Sequence, residues 1–177
     1  GCVTFNYEGT SVTYITVRGS DGNVWLQQNL GSASVATSQN DEASYGDLFQ
    51  WGRWDDGHQK RNSALGTAPT PNNPAGLATG NDTFYTGWWS PNALSDTWEA
   101  ATPAAATDIN GCDPCKALGN GWKLPTEAEW TAIKDSQNIS NPATAFQSVL
   151  KLPTSGYRAA SGSFSFVGTR GCLLYTS

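Results

Sequence analysis

The chain opens with apolar and polar residues alternating at period two, since Val3-Thr4-Phe5-Asn6-Tyr7 places Val3, Phe5 and Tyr7 on one face of an extended segment. Glu8-Gly9 supplies a turn, Val12 to Val17 is rich in β-branched residues, and Asp21-Gly22 precedes Val24-Trp25-Leu26. Together these predict a three-stranded meander. From Asp41 the period changes. Tyr45, Leu48, Phe49 and Gly52 fall on one face at spacings of three and four, with Asp41 placed to cap. The expectation is a helix of about three turns running through Trp51.

Residues 56 to 111 carry no sustained period. They include "GTAPTPNNPAGLATGND" and "ATPAAATD" and read as a long irregular insertion, of the kind that carries function or flexibility. Tyr85, Trp88, Trp89 and Trp98 lie within it, and Trp54 stands just before it. These rings have two readings. They peg the loop to the core, or they present flat faces to a sugar or peptide. On the second reading Trp54, Tyr85, Trp88, Trp89 and Trp98 are the candidate ligand-binding residues.

The segment "GNGWKLPTEAEWTAI", Gly119 to Ile133, crowds two glutamates around one threonine. Thr126-Glu127-Ala128-Glu129 has the spacing of a capping box, in which the threonine hydroxyl and the Glu129 carboxylate each bond the other residue's amide. Both glutamates also suit the positive end of the helix dipole. Pro125 bars helix before Thr126, Trp130 is placed to pack back against it, and Ile133 continues the buried stripe. Every residue is used by a helix start, so Glu127 and Glu129 are not nominated as an acid–base pair. "KLPT" recurs at Lys151–Thr154, followed by Ser155-Gly156 and no capping glutamate, so only the first copy should begin a helix.

With 177 residues the chain fits one domain, able to hide roughly two-thirds of its unfolded surface. The rings, glycines and prolines together, with only 14% charged residues, describe a folded, loop-rich, aromatic-anchored domain rather than a disordered one. A net charge of −5 and scattered Lys and Arg leave no basic stripe for phosphates, which argues against nucleic acid. No apolar run reaches the ~20 residues of a membrane span.

The four cysteines are Cys2, Cys112, Cys115 and Cys172. In "NGCDPCKALG" the flanks are turns rather than a strand and helix, which disfavours a redox motif, and zinc lacks an obvious second pair of ligands. An oxidised, extracellular chain is the favoured setting, with Cys112 and Cys115 as disulfide cysteines, bridged to each other or to distant partners. Gly1-Cys2 matches a lipoprotein cleavage remnant or a disulfide partner near a domain edge. His58, the single histidine, lies in "WDDGHQK" without a nucleophile elbow and reads as a surface or packing residue. Asp55, Asp56 and Asp82 could serve calcium, yet no D-x-D-x-D loop accompanies them, so no metal or cofactor is expected.

Four segments, "DGNVWLQQNLG", "ASYGDLFQWGRWDDGHQKRNS", "CDPCKALGNGWKLPTEAEW" and "LKLPTSGYRAASGSFSFVGTRG", closely resemble in order and spacing the Fibrobacter succinogenes major paralogous domain. The resemblance spans about Val12 to Gly171. The tryptophan-bearing Leu-Pro-Thr element is also similar to one in formylglycine-generating enzymes and in the variable proteins of diversity-generating retroelements. The resemblance implies an α+β, C-type-lectin-like fold with two main helices, twisted antiparallel sheets and long ligand-presenting loops, in an extracellular or cell-surface bacterial protein. Members often carry a cysteine just before the tryptophan matching Trp25; Val24 stands there, which leaves Cys2 without that partner. Members also continue into further strands, whereas this chain ends in "CLLYTS". Cys172–Ser177 therefore reads as a non-native tail on a domain, residues 1–171, truncated at its C-terminus. The related enzymes need copper-binding cysteines in their C-terminal part, where this chain has only Cys172. The sequence thus points to a non-enzymatic adhesion or ligand-binding module, part of a larger polypeptide, taking a glycan or a surface protein. A formylglycine-generating-like enzyme, or a degenerate derivative, and a purely structural surface module are the alternatives.

Overall fold

The computed structural model describes residues 1–69, 75, 81–88 and 97–171. The expected meander forms: β1 (Cys2–Tyr7), β2 (Thr10–Arg18) and β3 (Val24–Leu26) make an antiparallel sheet in that order. Glu8 and Gly9 both take positive φ, 50° and 75°, as a two-residue type I′ turn requires. The register sets Phe5 opposite Val12 and Val3 opposite Tyr14, so the apolar positions share one face. Phe5, Tyr7 and Tyr14 are buried there with Leu118, and Leu26, Leu30, Phe49 and Trp122 pack around them. Each such side chain contributes ~1.5–3 kcal/mol on full burial, which makes this cluster the anchor for the loops beyond it.

The helix expected from Asp41 to Trp51 does not form. A single 3₁₀ turn covers Glu42–Ser44, and Gly46, at φ 73°, redirects the chain. A Cβ on Gly46 would sit 2.6 Å from the Leu30 carbonyl oxygen, so only glycine permits this crossing. The amides that a helix would bond locally reach other segments instead: Asp47 N–H donates to Leu30 O, and Leu48 N–H to Gln59 O. Tyr45 is buried and Phe49 packs on the core all the same. The three-and-four spacing marks inward-facing positions without making a helix of them.

Helix α1 (Glu127–Ser136) begins where expected. The Thr126 hydroxyl accepts from Glu129 N–H at 3.2 Å, and the Glu129 carboxylate accepts from Thr126 N–H at 2.9 Å. Trp130 meets Trp25 of β3 edge-on, ring centres 6.0 Å apart. Ile133, fully buried, comes so close over Gly19 that a Cβ there would lie 2.6 Å from its Cδ1. The second "KLPT" starts no helix; Thr154 donates through both its N–H and its hydroxyl to Gln39 O, at 2.8 Å each. A second helix among the described residues is α2 (Pro142–Gln147), a segment the periodicity does not announce, capped by Asn141 with Pro142 in its first turn.

The described parts of the stretch from 56 to 111 include four short strands. β4 (Leu65–Thr67) pairs with β5 (Phe84–Thr86), and β6 (Thr97–Ala100) with β7 (Asn110–Cys112). Both pairs are parallel, a departure from the antiparallel sheets expected. β8 (Tyr157–Arg158) and β9 (Phe164–Ser165) form a short antiparallel hairpin. The architecture is α+β, and the described residues form small separate sheets and two α-helices. Among the described residues no helix is long and apolar enough to cross a membrane. The expected tail, Cys172–Ser177, lies outside the described residues.

Candidate functional site

Within "WDDGHQK" the side chains of Asp56, His58 and Gln59 turn into the interior. His58 is fully buried: its Nε2 accepts from Gln50 N–H at 2.9 Å, and its Nδ1–H donates to the Asp56 carboxylate. Arg53, also fully buried, donates to Asp56 Oδ2 at 3.0 Å, to Gln50 Oε1 and Thr83 O at 2.8 Å, and to Asn81 O at 2.6 Å. Gln50 is bonded in both senses to the Tyr85 backbone, Oε1 from its N–H and Nε2 to its carbonyl. This network seats β5 against the 50–59 turn. Its cost of desolvation is offset because nearly every buried polar atom is bonded; Arg53 Nε is an exception.

Burial is the main influence on His58 and pushes its pKa down to about 4, against the opposing hydrogen bond to Asp56. Burial also works against ionisation of Asp56, but the hydrogen bond to His58 and the Arg53 charge outweigh it and hold that carboxyl below its usual range. With both ring nitrogens engaged and the ring neutral, His58 is a packing residue. It offers no free nitrogen to a nucleophile. Asp55, Asp56 and Asp82 do not gather: Asp55 accepts from Glu8 N–H, and Asp56 belongs to the network. Among the described residues no group of three His, Cys, Asp or Glu side chains is placed to hold a metal.

Four of the five nominated rings lie among the described residues, and they do not form one surface. Tyr85 and Trp88 stack on each other, centres 6.2 Å apart and planes at 26°, with the Arg53 guanidinium 5.0 Å from one ring and 5.9 Å from the other. Trp88 is 5% exposed and donates its indole N–H to Trp51 O at 2.8 Å, so it pegs the segment to the interior. Trp54 is half-buried in its turn, and Trp89 lies outside the described residues. Trp98, on β6, is half-buried beside Trp51, their centres 6.3 Å apart.

Trp98 forms one side of a cleft of about 270 Å³. Thr97 and Glu99 flank it, and the opposite sides are the turn carrying Asp113 and Lys116 and the segment Lys123 to Thr126. The volume lies just under the roughly 300–1,000 Å³ of ordinary small-ligand pockets. Lys116 Nζ donates to Glu99 O at 2.9 Å, and Lys123 pairs with Glu129. The rim therefore mixes cations and carboxylates around an indole. Glu99, Asp113, Lys116 and Lys123 escape a reading by periodicity. Thr97-Trp98-Glu99 does alternate at period two, but over too few residues to announce a strand.

Cys112 and Cys115 stand as free thiols and are not bridged to each other or to Cys2; Cys172 lies outside the described residues. The turn between them is closed by Asp113, whose Oδ1 accepts from Cys115 N–H at 2.8 Å, so no sulfur link is needed to hold it. Burial, with a smaller contribution from Asp113, pushes their pKa values up to about 11 and about 12, which keeps both protonated and weakly nucleophilic near neutrality.

Comparison of the chain with protein-family models, with curated proteins and with solved structures finds no match.

Proposed function

We propose that this chain is a non-enzymatic ligand-binding module of a bacterial surface or secreted protein, built on a C-type-lectin-like fold of the Fibrobacter succinogenes major paralogous type and taking a neutral glycan beside Trp98. The observation that carries this reading is the cleft itself, an indole side with Glu99 on one rim and Lys116 and Lys123 on the others. A sugar hydroxyl both donates and accepts, so a rim of mixed charge suits it, while the apolar face of the ring lies on the indole. The engaged His58 and the protonated thiols support binding over catalysis.

The test is calorimetric titration of the protein with neutral oligosaccharides of glucose, mannose, galactose and N-acetylglucosamine, followed by Trp98→Ala. Losing the stacking contact should weaken binding roughly tenfold without unfolding the chain. Equal affinity in the variant, or no binding across the panel, would overturn the glycan reading, and capture of a protein ligand through the same cleft would replace it.

A further inference from the structure

Three pieces of chain make the sides of the Trp98 cleft: β6, the turn from 113 to 116, and the Lys123–Thr126 segment leading into α1. All three are bonded to one residue. Asp113 N–H donates to Ala100 O of β6 at 2.9 Å. Its Oδ1 accepts from Cys115 N–H at 2.8 Å and Lys116 N–H at 3.2 Å, closing its own turn. Its Oδ2 accepts from Leu124 N–H at 2.8 Å, reaching across to the third side, and its carbonyl accepts from Ala117 N–H at 3.2 Å. The residue is 1% exposed, so water does not compete for these bonds.

We infer that Asp113 is the positioning residue of the cleft, its carboxylate holding the turn and the Leu124 segment at the separation a ligand meets. The consequence for affinity rests on the cleft being the binding site; the structural role does not. Only a carboxylate can accept on both oxygens at once, since a carboxamide or a protonated acid presents a donor where one of the three amides now bonds. The bond to Leu124 is the one by which the carboxylate joins separate segments, because the Oδ1 bonds stay within a single turn.

Acid provides a second handle. The charged and titratable groups around Asp113 are Cys112 and Cys115 beside it, Lys116 in its turn, Glu99 on β6 and Lys123 on the third side. Glu99 is the other carboxylate lining the cleft, so replacing it isolates the part played by Asp113. Burial raises the Asp113 carboxyl above its ordinary range, partly countered by its amide bonds, so it takes up a proton early as pH falls.

The experiment is backbone amide exchange, read as protection factors between about pH 7 and pH 4, on the wild type, Asp113→Asn and Glu99→Gln. Phe5 and Tyr14 amides in the core sheet serve as the gauge of global folding. In the wild type, protection at Leu124 should drop roughly tenfold or more as Asp113 is protonated, the cost of losing a charge-assisted bond. Glu99→Gln should show the same drop, and Asp113→Asn should start low and stay flat. Unaltered Leu124 protection in Asp113→Asn, or a pH profile that vanishes in Glu99→Gln, overturns the inference. Should Asp113→Asn fail to fold, the wild-type and Glu99→Gln profiles decide the matter alone. No ligand enters this measurement, so failure of the glycan titration leaves it standing, and its own failure leaves the titration standing.

Discussion

Mild acid should weaken this fold through its single histidine. His58 is fully buried, with Nε2 accepting from Gln50 N–H and Nδ1–H donating to Asp56, so the cavity is made for the neutral ring and a proton on Nε2 would face another donor. Burial lowers its pKa from 6.5 to about 4. Between those values the unfolded chain takes up a proton that the fold refuses. Stability is therefore complete above pH 6.5 and falls as pH drops toward the folded value. Each pH unit descended between the two values costs about 1.4 kcal/mol, so moving from about pH 7.5 to pH 5 removes about 2 kcal/mol. Urea unfolding at the two pH values measures this, with His58→Gln as the comparison that keeps an acceptor but does not titrate. The wild type should lose about 2 kcal/mol more than the variant, at unchanged denaturant slope. Equal pH sensitivity in the two proteins, or an imidazole seen by ¹⁵N NMR to titrate at or above 6.5, would falsify the reasoning.

Two further substitutions probe other seams. A Cβ on Gly111 would come within 2.2 Å of Gly52 Cα, backbone that has no rotamer to change, and the neighbouring Cys112 N–H bonds Gly52 O at 3.0 Å. Gly111→Ala should destabilise by about 1–3 kcal/mol or more, seen as a lower melting temperature; an unchanged melt would show that β7 does not press on that turn. Thr126→Ala removes the hydroxyl that accepts from Glu129 N–H and should cost about 1 kcal/mol by chemical denaturation, with the loss confined to α1 amides in hydrogen exchange. Fraying that spread instead to the β1–β2 sheet would contradict a local role for the cap.

Local signals along the chain were enough for part of the fold. The meander follows from alternation at period two and from Glu8-Gly9, and α1 from the Thr126–Glu129 box, because each is specified by residues a few positions apart. Trp98 was legible as a candidate because an aromatic in a polar, turn-rich stretch is visible in one dimension. Long-range contacts settled the rest. The segment from 41 to 51 has helical spacing, yet Gly46 and the carbonyls of Leu30 and Gln59 draw its backbone elsewhere. Nothing in "WDDGHQK" announces that its histidine will be sealed between Gln50 and Asp56, since the partner that occupies Nε2 comes from the preceding segment. The cleft brings together residues near 98, 113 and 124, and the buried Asp113 bonds to all three pieces, through its backbone N–H to β6 and through its carboxylate to its own turn and to Leu124. Patterns along a chain report which face a residue turns inward; they do not report which distant backbone groups will meet it there.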